Sequence, residues 1–524
     1  MKKPIIIIST LFGAIAAGIF IYVDTPISSI FQSFVVIKKH THKHSFTNID
    51  TMPFSIGFTT LNEKSKNKEL TIQGKIPTWL SGTLLRVGPG KFEIKDNDNN
   101  SEVSQADHWL DGFSMAHRFE IKKGKVSYSN KLLKSHYYKK AKKTGILEPP
   151  QINKGKSFIG RLASSFSTPK QLYDNVNVNI LKYGDHCVAV TETPTPLAFD
   201  PNTLKTIESL KFKDKLGGHF CCAHPQFDSK KQQWYNYFIS YGNTSSYVIY
   251  TMDKKSITRK KLASISVKRP GYMHSFASTD NYVVLTEVPF TIKPIDLLFG
   301  KKTFLEYFKW EPNKGTRFIV IDKNSGKKIG DYKTDAFFSL HHINAFDNKE
   351  TITLDIPTYQ DTSVINAYHF NNLCDKKRCS FPRAKFERFV INLGGKSVDR
   401  KTISEENIEM PRINDKCNGC AYRYAYGTSH ENQDSFADSI IKIDAHKKSH
   451  CHWHQAGCYT TEPIFVAKPG AKEEDDGILL SVVLDAHKKQ SFLLVLNAKT
   501  MKELARASVE HHIPFTMHGQ FYHS

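Results

Sequence analysis

The sequence predicts an all-β protein: a seven-bladed β-propeller with a metal on the central axis, plus an N-terminal hydrophobic helix. Three observations carry this. A strand–turn–strand signature recurs seven times. Its spacing is long enough for one four-stranded blade per repeat. Histidines then fall at one phase of that repeat.

The N-terminal element rests on residues 4–23, which follow Lys2 and Lys3 and contain no charge. A stretch of 18 or more such residues spans a bilayer, and signal-peptide cores are shorter. Residues 1–25 therefore read as a transmembrane anchor, with a cleaved signal segment as the alternative, for which Ala14–Gly18 offers a cleavage site. Lys38, Lys39 and Lys43 lie beyond the segment and leave its topology open. Residues 26–51 read as a basic linker in which His40, His42 and His44 suit a solvated tether.

Residues 52–524 form one body. Its hairpins end a run of β-type residues in Asp or Asn before a polar turn. Examples are Leu197–Asp200, Tyr250–Asp253, Phe318–Asp322, Val390–Asn392, Ile440–Asp444 and Leu494–Asn497, with a looser case at Phe119–Gly124. The turns at 122, 200, 253, 322, 392, 444 and 497 are spaced by 78, 53, 69, 70, 52 and 53 residues. A β-sandwich also contains hairpins, but the blade-sized interval favours the propeller.

The histidines follow. His224 lies 24 residues after the turn at 200, His274 lies 21 after 253, His341 lies 19 after 322 and His518 lies 21 after 497. Positions at one phase of a propeller ring its axis, so these four are candidate metal ligands. Glu409 and Glu462 hold nearly the same phase, 17 and 18 residues after their turns, and suit carboxylates that accept the far N–H of a ligand imidazole. His450, His452 and His454 alternate on a single strand, which cannot surround an ion, and read as an exposed face. Four neutral imidazoles suit octahedral Fe(2+) with two open positions, with copper as the alternative.

Composition bounds the partners. The 524 residues include 73 Lys plus Arg, 51 Asp plus Glu and 23 His, for a net charge of +22. With 40% apolar and 24% charged residues the chain is not disordered. The lysines are scattered rather than gathered on one stripe, which argues against nucleic acid as partner. The nine cysteines read as free buried thiols. Cys417 and Cys420 lack the second pair of a zinc ribbon, and Cys374 with Cys379, or Cys451 with Cys458, would bridge only in an oxidising compartment. Apolar residues broken by lysines between Ile292 and Trp310 suit a membrane lipid surface. The sequence sets no oligomeric state.

The segments around these residues resemble the carotenoid cleavage oxygenase family, in its animal branch of β-carotene oxygenases and retinoid isomerohydrolase. The matching stretches include Gly82–Gly90, Leu110–Phe119, Ala223-His224-Pro225, Met273–Phe276, His341–Ala345 and Thr516–Phe521. The likeness runs from about residue 52 to the C-terminus. It implies a seven-bladed propeller whose four histidines bind Fe(2+), with Glu192, Glu409 and Glu462 behind them. Of these, Glu192 comes from the resemblance alone. The pattern H-x-x-N-A selects His341 over His342, as does strand alternation. The implied activity is a non-haem iron dioxygenase that cleaves a carotenoid double bond with O2 to apocarotenals, foremost β-carotene at the central 15,15' bond to retinal. No residue beyond the metal ligands is required for catalysis. The alternatives are eccentric cleavage, a retinoid isomerohydrolase acting on retinyl ester, and a non-catalytic carotenoid-binding propeller. The family's P-D-P-C-K segment is missing near residues 148–156. The resulting expectation is a membrane-associated enzyme with a cytosol-facing catalytic domain. A lumenal location is the alternative, under which the sequons at Asn99 and Asn243 become usable.

Overall fold

The computed structural model describes residues 52–63, 65–95, 103–147, 173–242, 244–299 and 302–524. The proposed anchor (1–25), the linker (26–51), the sequon asparagines 99 and 243 and the segment 148–156 lie outside the described residues. Among the described residues, no helix is long and apolar enough to cross a membrane.

Seven antiparallel sheets form the blades. All seven turns counted in the sequence join the third and fourth strands of a blade. Lys123–Gly124 links Phe113–Lys122 to Lys125–Leu132, and Asp322 ends Thr316–Asp322 before Lys328–Thr334. The repeat is legible there because the third strand is sandwiched between neighbouring blades. Phe318, Ile319, Val320 and Ile321 are all fully buried, as are Leu493 to Leu496. Burial on both faces selects continuous apolar runs instead of alternation. The fourth strands face solvent on one side, and Glu503–Val509 alternates accordingly.

Both chain ends of the body close the ring. The C-terminal strand Gly519–His523 is the innermost strand of blade one and pairs with Gly82–Lys91, while Thr71–Gly74 adds to the outer edge of blade seven. Gly519 is fixed by this closure, because a Cβ there would sit 2.2 Å from the Leu85 carbonyl oxygen. Blades pack through aromatic and aliphatic clusters, such as Tyr237, Phe276, Phe318, Phe337 and Phe389 in one continuous core. Each such buried side chain stabilises the fold by about 1.5–3 kcal/mol relative to exposure. None of the nine cysteines is bridged.

Candidate metal centre

The inner strands converge on the axis, and each candidate histidine stands at the start of one. His518 directly precedes Gly519–His523 of blade one, His224 lies between the short inner strands Phe220–Cys221 and Gln226–Asp228 of blade three, His274 leads into Ala277–Ser278 of blade four and His341 into Asn344–Asp347 of blade five. One ligand-capable nitrogen from each lies within 4.8 Å of all the others. The Nε2 atoms of His224 and His274 are 3.0 Å apart, and those of His341 and His518 are 3.1 Å apart.

Three carboxylates stand behind the rings. Glu192 Oε1 lies 2.6 Å from His274 Nδ1, Glu409 Oε2 2.5 Å from His341 Nδ1 and Glu462 Oε1 2.7 Å from His518 Nδ1. A carboxylate accepts, so each Nδ1 carries the proton and each Nε2 keeps a lone pair. Lone pairs facing one another at such distances repel unless a cation lies between them. The donor set therefore fits a transition metal. His224 has no carboxylate partner among the described residues. Its backbone N–H donates to Cys222 Sγ, whose thiol donates to the His274 carbonyl.

Burial keeps His224 well below the ordinary histidine range, reinforced by His518, His274 and His341. Burial also pulls His518 down to about 4, although Glu462 works in the opposite direction. For Glu409 burial acts upward, but His341, the Met410 N–H and the Tyr359 hydroxyl outweigh it and leave the carboxyl below its usual value. Glu462 is likewise pushed up by burial and held down more strongly by Arg412, His518 and Arg86. Its oxygens receive Arg86 Nη1 at 2.7 Å, Arg412 Nε at 2.9 Å and the Gly519 N–H at 3.1 Å. Glu192 also accepts the Tyr272 hydroxyl at 2.8 Å.

All seven sequence-predicted residues thus come together. Phase counting overlooks Glu192 because it follows the second strand of blade two, His186–Val190, rather than opening an inner strand. It overlooks Arg86, Arg412 and Tyr272 because nothing in their spacing marks them. His342 points away from the axis and is satisfied by Ser275 Oγ at 2.6 Å and Thr286 Oγ1 at 2.8 Å.

An apolar cavity of about 1060 Å³, its open mouth included, reaches His274, His341 and Glu409. Its walls include Trp109, Tyr272, Leu305, Tyr368, Phe381 and Phe436. Burial drives the wall histidines to the neutral form, His108 to about 3 and His430 to about 4. It also raises the hydroxyls of Tyr272, Tyr359 and Tyr368. His108 is fixed further, with Nε2 donating to the Ile365 carbonyl and Nδ1 accepting the Leu110 N–H.

Comparison with known proteins agrees with this architecture. The family model described as retinal pigment epithelial membrane protein (RPE65) matches residues 57–523. The chain is 32% identical to the mitochondrial carotenoid-cleaving dioxygenase of Mustela putorius furo, over 88% of this chain and 95% of that one. It is 31% identical to the β,β-carotene 15,15'-dioxygenase of Gallus gallus, over 86% and 94%. A solved Synechocystis apocarotenoid oxygenase variant superposes with a TM-score of 0.78 at 23% identity, covering 90% of this chain and 98% of that one. A cobalt-substituted form of that oxygenase gives 0.76 at 23% identity, with the same coverage. With its propeller, its ring of histidines and these matches, the chain belongs to the RPE65 family of carotenoid oxygenases.

Proposed function

We propose that the chain is an iron-dependent dioxygenase that splits one double bond of a carotenoid with O2 and releases two aldehydes, the preferred substrate being β-carotene cut at its central 15,15' bond to retinal. One observation carries this reading: four imidazole nitrogens converge where an apolar cavity ends. His224, His274, His341 and His518 would hold Fe(2+), which when bound supplies the activation of O2. Glu192, Glu409 and Glu462 keep the Nδ1 protons in place and thereby aim the Nε2 lone pairs. The aromatic walls grip a polyene, exclude water and set which double bond faces the histidines. Converting one C=C and O2 into two C=O groups moves no proton, so neutral walls suffice. The relative named β,β-carotene 15,15'-dioxygenase supports the choice of bond.

Leu305 lines the cavity, and the half-exposed Ile295 lies ten residues before it. We place the lipid surface from which substrate enters at this segment, read residues 1–25 as a membrane anchor of the same chain, and assign the catalytic body to the cytosolic side. Iron-loaded protein given β-carotene and retinyl ester in separate incubations tests the activity. Aldehydes from β-carotene are expected. Isomerised retinol without aldehydes would instead assign an isomerohydrolase. Carotenoid binding with no product from wild type and His274→Ala alike would assign a binding protein.

A further inference from the structure

A second group of metal-ligating side chains lies on the rim of the propeller, away from the axis. His450 and His452 belong to Ser449–His454, the outer strand of blade six. Their i, i+2 spacing puts both rings on its exposed face, with centroids 5.2 Å apart. A single strand cannot enclose an ion, but the fold supplies another side. Glu406 stands near the end of Val398–Asn407, the outer strand of blade five. A register shift between Lys385 and Phe386 on the paired strand falls opposite this stretch. Glu406 Oε1 lies 3.8 Å from His450 Nε2. Its other oxygen is 3.5 Å from Arg383 Nη2, which leaves Oε1 directed at the imidazoles. One ligand-capable atom from each of the three residues lies within 4.8 Å of the others. His454 continues the alternation but donates Nδ1–H to the Asp438 carbonyl at 3.0 Å, so it is turned back to its own blade.

We propose that Glu406, His450 and His452 form a surface site for a divalent transition cation of the zinc type, strapping the outer strands of blades five and six together. Two imidazoles and a carboxylate are an established donor set for zinc, and water completes the tetrahedron. Donors bound at about 2.0–2.1 Å in a tetrahedron stand roughly 3.4 Å apart, close to the observed separation of Glu406 and His450. The carboxylate also offsets one of the two positive charges, which the four axial imidazoles cannot do.

The test is equilibrium dialysis of the iron-loaded full chain against zinc chloride, with both metals counted by mass spectrometry. We expect the double variant His450→Ala/His452→Ala to bind one zinc fewer than wild type while iron content and carotenoid turnover stay unchanged. Zinc held elsewhere, for instance by His40, His42 and His44, cancels in that difference. Glu406→Gln, which keeps the side-chain shape, should raise the Kd for this zinc roughly tenfold or more. Equal zinc uptake by wild type and the double variant would overturn the proposal. A Glu406→Gln affinity equal to wild type would remove Glu406 from the site and overturn the strap between blades.

Discussion

Glu192 and Glu462 orient their histidines alike, but their surroundings predict different consequences when each becomes glutamine. Glu462 and Arg86 are both about 1% exposed, and Arg412 closes the same carboxylate from the other side. Removing the charge leaves the fully buried Arg86 without its ion pair, whereas Arg412 is 20% exposed and keeps Asp415 nearby. Breaking a buried pair in this way costs about 3–5 kcal/mol. At about 2 °C for each kcal/mol in a chain of this size, metal-free Glu462→Gln should melt roughly 5–10 °C below wild type. Glu192 is 22% exposed, and among the described residues its side-chain hydrogen bonds go to the Tyr272 hydroxyl and the His274 ring. Glutamine keeps an acceptor there, so the loss is about 1–2 kcal/mol. Both substitutions should weaken metal affinity roughly 10- to 100-fold. Thermal melts of the metal-free proteins, followed by iron titration, separate the two effects. Equal melting of metal-free Glu462→Gln and wild type would rule out a stabilising role for the buried Glu462 ion pair, as would a Glu192→Gln midpoint as low as that of Glu462→Gln.

Replacing His224 or His518 by alanine should abolish both metal retention and carotenoid turnover while the propeller's circular dichroism persists; bound iron at wild-type level would contradict the ligand assignment. Narrowing the cavity with Val364→Phe, a wall position 2% exposed, should lower kcat/KM for carotenoid with iron content unchanged, read by steady-state kinetics beside metal analysis. Acid sensitivity has a defined sign. Burial depresses His108, His117 and His342 to about 3 and His430 to about 4. The unfolded chain takes up these protons below about pH 6.5 and the folded chain does not, so stability is full above that pH and is lost as pH falls toward 4 and 3. For the fully buried His117 the loss is about 1.4 kcal/mol for each pH unit. Urea midpoints of the metal-free protein should therefore fall between pH 7 and 5; a flat profile would refute this.

The parts of this molecule that sequence reveals are those with a periodic cause. Third strands sit between blades and must be apolar throughout, so Phe318–Asp322 and Leu494–Asn497 mark the repeat. The axial histidines open inner strands and therefore keep phase with it. Glu192 breaks phase because it hangs from a loop between strands within blade two, and only the resemblance to a known family points to it. Arg86 and Arg412 come from different blades, and only folding brings them to Glu462. The same holds at the rim, where His450 and His452 are visible as a strand face but Glu406 arrives from the next blade, 44 residues earlier than His450.

The most direct test of the central claim is a single turnover of iron-loaded protein with β-carotene under oxygen-18 gas, the aldehydes being reduced at once to alcohols to stop exchange with water and then weighed by mass spectrometry. Two retinal-length products are expected, each carrying one heavy oxygen, and none from His274→Ala. Unchanged β-carotene, or product that forms equally well without O2, would contradict it.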